Sequence, residues 1–226
     1  MLVGVCLTAM CSLNVWAIPN LQLDIPSGST YDIGSQTRIA TSNPFTLRAL
    51  IDATDLSLAR NFYISAAILP NPGSTPSPNF GSFVFNGITF SSSSGMQYGT
   101  PPVDTAINDL QTHSVFPTWY AELRFSAVPN QTIAAYNTQD GSSSPGFLNY
   151  VDFAVDVSGL NSPYAVHFDL YTYDQIGDPR VLKIDCFAPF SHDAQSGGRN
   201  VPDGGTTAIL LGAAVMGLGA LRKRLS

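Results

Sequence analysis

From Leu21 onward the chain alternates apolar and polar side chains with a period of two, in short bursts separated by turn-forming residues. Leu21-Gln-Leu-Asp-Ile25 is stopped by Pro26-Ser-Gly-Ser29, and Phe45-Thr-Leu-Arg-Ala-Leu-Ile51 follows Asn43-Pro44. Period two puts successive side chains on opposite faces, as in a strand with one buried face. The same pattern predicts strands over Asn61 to Leu69, Gly81 to Phe90, Thr118 to Phe125, Phe147 to Val157, Tyr164 to Tyr173 and Val181 to Phe187. Gly, Pro, Ser and Asn clusters such as Pro70-Asn-Pro-Gly-Ser-Thr-Pro-Ser-Pro78 and Ser142-Ser-Ser-Pro-Gly146 lie between them. Many short strands and hardly any helical periodicity predict an all-β ectodomain over residues 18–196. A single antiparallel β-sandwich is expected, with a jelly roll among the arrangements that fit.

Alternation also assigns faces. Val151, Phe153, Val155 and Val157 point one way, while Asp152, Ala154 and Asp156 point the other. Further on, Phe168, Leu170 and Thr172 oppose His167, Asp169, Tyr171 and Tyr173. If these two strands are neighbours, they share a polar, partly aromatic face.

Both ends break the pattern. Met1 to Val15 is mostly apolar, and Val15-Trp16-Ala17 supplies the two positions that signal peptidase reads. Residues 1–17 therefore read as a signal peptide, with Ile18 as the first mature residue. No Lys or Arg precedes the apolar run, so either the start lies upstream of Met1, which is the favoured reading, or the Met1 amine is the only positive charge there. At the other end, residues 197–205 form a linker with a Pro-Asp-Gly-Gly breaker, and Thr206 to Leu221 carries no charge. As a helix this run would span about 24 Å, a little short of the ~30 Å hydrocarbon core. Flanking residues or local thinning make up such a difference. Arg222, Lys223 and Arg224 then head a basic tail, residues 222–226, expected on the cytoplasmic side, which puts everything before the helix outside the cytoplasm.

Val201-Pro202-Asp203-Gly204-Gly205, the small-residue helix and the Arg-rich end together resemble the PEP-CTERM class of bacterial sorting signals, in the variant whose motif reads Val-Pro-Asp-Ser-Gly. Here Gly204 stands where that variant has Ser. The resemblance implies an exosortase as partner, membrane anchoring through the helix, and a cell-surface or extracellular location after processing. A second resemblance covers most of Ile18 to Ser196. Leu21-Gln-Leu-Asp-Ile25, Thr30-Tyr31-Asp32, Asn43-Pro44-Phe45, His113-Ser-Val-Phe-Pro-Thr-Trp-Tyr-Ala-Glu122 and Pro189-Phe-Ser-His-Asp-Ala194 are similar to the choice-of-anchor N ectodomains. That similarity implies a fold family and a location rather than an activity.

Charge narrows the partners. Residues 18–200 hold 7 Lys and Arg against 15 Asp and Glu, a net charge of −8. Nucleic acid is excluded as a partner, because its affinity comes from Lys and Arg against phosphate. Of the 3 cysteines only Cys186 follows the signal peptide, so the mature domain cannot close an intramolecular disulfide. Cys186 is expected as a core side chain of the Val181 to Phe187 strand.

The search for chemistry leaves weak candidates. Ser191-His192-Asp193 has the residue types of a hydrolase triad, but neighbours on an extended chain point to opposite faces, and no Gly-x-Ser-x-Gly elbow is present. No catalytic residue is assigned, and a non-enzyme is expected. The pairs His113 with Glu122 and His192 with Asp193 are marginal zinc candidates. Asp152, Asp156, Asp169, Asp174 and Asp178 crowd two successive strands and the loop after them, the oxygen-rich chemistry that Ca2+ takes. The same residues fit better a solvated acidic face that keeps an exported protein soluble. Trp119, Tyr171 and Tyr173 are candidates for stacking on sugar rings of an exopolysaccharide. Trp119 and Tyr120 point to opposite faces, so at least one of them belongs to the core. The readings that remain are a non-catalytic envelope or matrix protein and a carbohydrate-binding module or polysaccharide-active enzyme in the same place.

Overall fold

The computed structural model describes residues 18–53, 57–58, 60–101, 115–175 and 182–197. Within them run fourteen strands: β1 (Leu21–Asp24), β2 (Ser29–Asp32), β3 (Thr37–Ala40), β4 (Phe45–Ile51), β5 (Asn61–Leu69), β6 (Ser82–Phe85), β7 (Ile88–Ser91), β8 (Gln97–Gly99), β9 (Thr118–Ser126), β10 (Thr132–Tyr136), β11 (Ser143–Asp156), β12 (Ala165–Gln175), β13 (Leu182–Phe187) and β14 (Ala194–Gln195). They form two sheets. One has the order β1-β4-β11-β6-β7, with β10 also on β11; the other has the order β2-β3-β14-β12-β5-β9-β8, with β13 also on β12. The chain is all-β, and among the described residues no helix is long and apolar enough to cross a membrane.

The sheets pack face to face because each contributes one apolar row. Leu21, Leu23, Phe45, Leu47, Ala49, Ile51, Phe153 and Val155 come from the first sheet, and Phe62, Ile64, Ala66, Ile68, Phe168 and Leu170 from the second, all in one buried cluster. Phe168 meets Phe45 edge-on, with ring centroids 6.3 Å apart, and lies 6.2 Å from Phe85. Burying these rows against each other is the main driving force of the fold.

The predicted strands at Phe45 to Ile51 and Asn61 to Leu69 coincide with β4 and β5. The run Gly81 to Phe90, predicted as one strand, is a hairpin of β6 and β7. Asn86 and Gly87 both take positive φ (49° and 83°), the tight-turn geometry that Asn-Gly favours. Ser143 to Gly146, expected in a turn, begins β11 instead, because β10 lies alongside it. The sheet pairs are antiparallel with one exception: β14 runs parallel to β3 (Ala194 opposite Arg38) and antiparallel to β12 (Phe168 opposite Ala194). This two-residue strand stitches the amino-terminal hairpin to the middle of the sheet. Strands β11 and β12, the supposed neighbours, lie in different sheets.

The outer face of the second sheet is covered as well. Ala67, Phe116, Tyr120, Tyr171 and Ile184 form a second buried cluster, with Tyr63, Val115 and Tyr173 packed on it. Cys186, expected in the core, is partly buried and packs on the main cluster.

Candidate functional site

The polar residues predicted to face outward on β12 are buried. His167 and Asp169 stand two residues apart on one side of the strand, and they keep only 2% and 5% exposure. Asp193, brought in immediately before β14, completes the group at 2% exposure. His167 Nε2 lies 3.2 Å from Asp193 Oδ2 and 3.5 Å from Asp169 Oδ1. Ser65 on β5, directly opposite Asp169 in register, donates its hydroxyl to Asp169 Oδ2 at 2.9 Å. The Thr37 hydroxyl on β3 donates to the Ser35 carbonyl at 3.1 Å. Burial lowers the His167 pKa, but the two carboxylates outweigh it and push the value up to about 10. The Asp193 carboxyl is raised by desolvation, against the pull of His167.

A polar seam continues from this cluster to the sandwich edge. Asp24 on β1 pairs with Arg38 on β3 at 3.0 Å and accepts the Tyr136 hydroxyl. The side-chain oxygen of Gln22 accepts the Thr138 amide at 2.9 Å, and the guanidinium of Arg38 donates to the Thr138 carbonyl. Tyr31 donates to the Ser191 carbonyl at 3.2 Å. Buried polar groups of this kind hold a unique arrangement because each lost partner leaves a desolvated group behind.

Ser191, His192 and Asp193 do not form a triad. Phe190–His192 is a short 3-10 turn rather than extended chain, so Ser191 Oγ does reach His192 Nδ1, at 2.8 Å. His192 Nε2 meets Asn137 Oδ1 at 2.9 Å, and that oxygen also accepts the Gln139 amide at 2.8 Å. The ring therefore donates to Asn137 and accepts from Ser191, and burial holds its pKa down. Asp193 turns the other way, to His167. The neighbouring cavity of about 480 Å3 is lined by Tyr31, Ile33, Gln36, Gln139 and Asp140, and Ser191 is not in that lining.

The calcium candidates among the described residues are not gathered. Asp152 and Asp156 lie on β11 in the first sheet and Asp169 on β12 in the second, each on the side away from the shared core. Asp152 takes a two-pronged contact from Arg48, at 2.7 and 2.8 Å. Asp156 accepts from Asn43 Nδ2 and the Ser158 amide, both at 2.8 Å, which holds its carboxyl below the usual range. Asp174 is on β12, opposite Lys183 in register.

The stacking candidates are divided in the same way. Trp119 belongs to the main core and donates its indole N–H to the Gly73 carbonyl at 3.0 Å. Tyr171 is fully buried on the other side of the sheet, beside Tyr173, with ring centroids 5.6 Å apart. Both tyrosine hydroxyls donate to Glu122 Oε2. An aromatic platform needs exposed ring faces, and neither Trp119 nor Tyr171 offers one. Trp119 and Tyr120 do take opposite faces, and both are buried.

His113, Asp178, Val15, Ala17, Val201, Pro202, Asp203, Gly204, Gly205, Arg222, Lys223 and Arg224 lie outside the described residues. Ile18 is partly buried against Leu50, Ala135 and Leu148. Sequence reasoning placed His167 and Asp169 on one face through their spacing of two. The arrival of Asp193 has no local signal, because it depends on the pairing of β14.

Residues 200–225 match the VPDSG-CTERM motif. The C-terminal segment thus carries a sorting signal of the PEP-CTERM kind, consistent with export and with processing by an exosortase. No curated protein and no solved structure matches the chain.

Proposed function

We propose that this chain is an exported, non-catalytic protein of the bacterial cell envelope or extracellular matrix. It is trimmed by signal peptidase before Ile18, held in the membrane by the helix at residues 206–221, and handed on by an exosortase. The observation that carries this reading is the sorting motif at residues 200–225. The two packed sheets fit a β-sandwich ectodomain of the choice-of-anchor N kind, stabilised by its core and needing no cofactor for folding. The chain is tied down close to the motif. Ser196 is fully buried, its amide donates to Val166 and its hydroxyl accepts from the Val166 amide, both at 2.8 Å. A Cβ on Gly197 would lie 2.4 Å from the Ala40 carbonyl oxygen, so glycine permits the close pass there. Four steps of chain then reach Val201, at most about 14 Å away. An exosortase acting at the motif would meet the folded domain alongside its substrate strand.

The test is the fate of the chain in the cell. Deleting Arg222 to Arg224 should change the processed fraction on an immunoblot, and the mass of the mature protein should begin at Ile18. If the full-length protein and the deletion fractionate identically and both stay uncleaved, the sorting reading fails.

A further inference from the structure

We propose that His167, Asp169 and Asp193 form a binding site for one divalent transition-metal ion, with zinc as the probe. The three ligand atoms lie within 4.8 Å of one another, and all three residues are buried. Zinc bonds to imidazole nitrogen and carboxylate oxygen at about 2.0–2.2 Å, which spaces neighbouring tetrahedral ligand atoms about 3.3–3.5 Å apart. The observed separations from His167 Nε2 are 3.2 and 3.5 Å. Both separations from the imidazole match that spacing, and the two carboxylate oxygens lie within 4.8 Å of each other.

The surroundings fit as well. Ligating carboxylates are held by further hydrogen bonds in metal sites, and these partners tune affinity. Ser65 occupies Asp169 Oδ2 and leaves Oδ1 turned toward the imidazole. Charge points the same way. Two carboxylates around a protonated imidazole carry one negative charge in excess, and burying net charge is unfavourable. A dication with a neutral imidazole brings the three groups to zero. Imidazole among the ligands selects a transition metal, and calcium would want about six to eight oxygens. A fourth tetrahedral position falls to a water or a neighbouring hydroxyl.

Such an ion would link two pieces of chain, and through the Ser65 hydrogen bond a third. Asp193 precedes the short strand β14, while His167 and Asp169 sit mid-sheet on β12, beside Ser65 of β5. A mature domain with a single cysteine gains by metal what it cannot gain by disulfide.

The experiment uses the untagged protein recovered from the exporting cells, stripped with EDTA and titrated with Zn2+. One ion per chain, with a rise in melting temperature, is expected. Asp193→Asn should abolish both effects. Should that variant fail to fold, Ser65→Ala keeps all three ligands and loses only the orienting hydrogen bond, so its affinity should fall about 10- to 100-fold. Two results overturn the proposal. One is no uptake of Zn2+ by the stripped, folded protein. The other is uptake unchanged in Ser65→Ala and Asp193→Asn, which puts the ion elsewhere.

Discussion

Strands β11 and β12 carry nearly the same local pattern, apolar residues alternating with Asp, and meet opposite fates. On β11, Asp152 and Asp156 stay at the surface, where Arg48, Asn43 and the Ser158 amide serve them. On β12, Asp169 and its neighbour His167 are buried against Asp193, which leads into β14 at the side of the same sheet, and the Tyr171 and Tyr173 hydroxyls close on Glu122. A polar residue on the outward row of a strand is therefore solvated only if no other element lies over that row. The first sheet leaves its Asp row at the surface. The second sheet gains an outer aromatic layer and a polar seam, and its outward row becomes a second interior.

The contrast breaks most easily at Asp169. Replacing it with Ala removes one partner of a buried charged group and should lower unfolding stability by about 3–5 kcal/mol in urea titration. A loss below about 1 kcal/mol would show that the β12 row is solvated like its counterpart. Glu122→Ala comes next, since it deprives two tyrosine hydroxyls of their acceptor, and a loss of about 1–3 kcal/mol is expected from the same measurement.

The two strands should also limit stability at opposite ends of the pH scale. Burial first, and the Glu122 carboxylate second, raise the pKa of Tyr171; burial and the hydrogen bond to Glu122 do the same for Tyr173. A raised folded-state pKa means stability that is full below about pH 10, where unfolded tyrosine titrates, and lost as pH rises beyond it. The urea midpoint should therefore fall between pH 9 and 11, and the double variant Tyr171→Phe, Tyr173→Phe should flatten that fall. The Asp156 carboxyl is held low, so its contribution is present above its ordinary pKa of 3.8 and lost only in stronger acid. The smallest effect belongs to Asp152→Ala. An exposed ion pair with Arg48 contributes about 0.2–1 kcal/mol, and raising the salt concentration should shrink the difference further.

Much of the strand pattern was legible because period-two alternation is a local consequence of the pleat. The limits of β4 and β5 and the inward rows of β11 and β12 follow from it. The hairpin within Gly81 to Phe90 was legible too, in Asn86-Gly87, had turn chemistry been weighed above apolar content. The short strands β8 and β14 were not legible, for they are held by neighbours distant in sequence; β2, β3 and β10 were not predicted either, although β2 pairs with β3 and β10 with β11, the next strands along the chain. The cluster shares that limit. His167 and Asp169 could be placed together from their spacing, while Asp193 reaches them across more than twenty residues.

By itself the sequence determined the class of fold, which side chains face the core, and the sorting signal, since each is written in a contiguous run of residues. Tertiary structure alone decided that Asp152 and Asp169 part company, that Trp119 and Tyr171 are buried on opposite sides of one sheet, and that Asp193 meets His167. Burial and ligand geometry are properties of what packs above a residue, and no local periodicity carries that information.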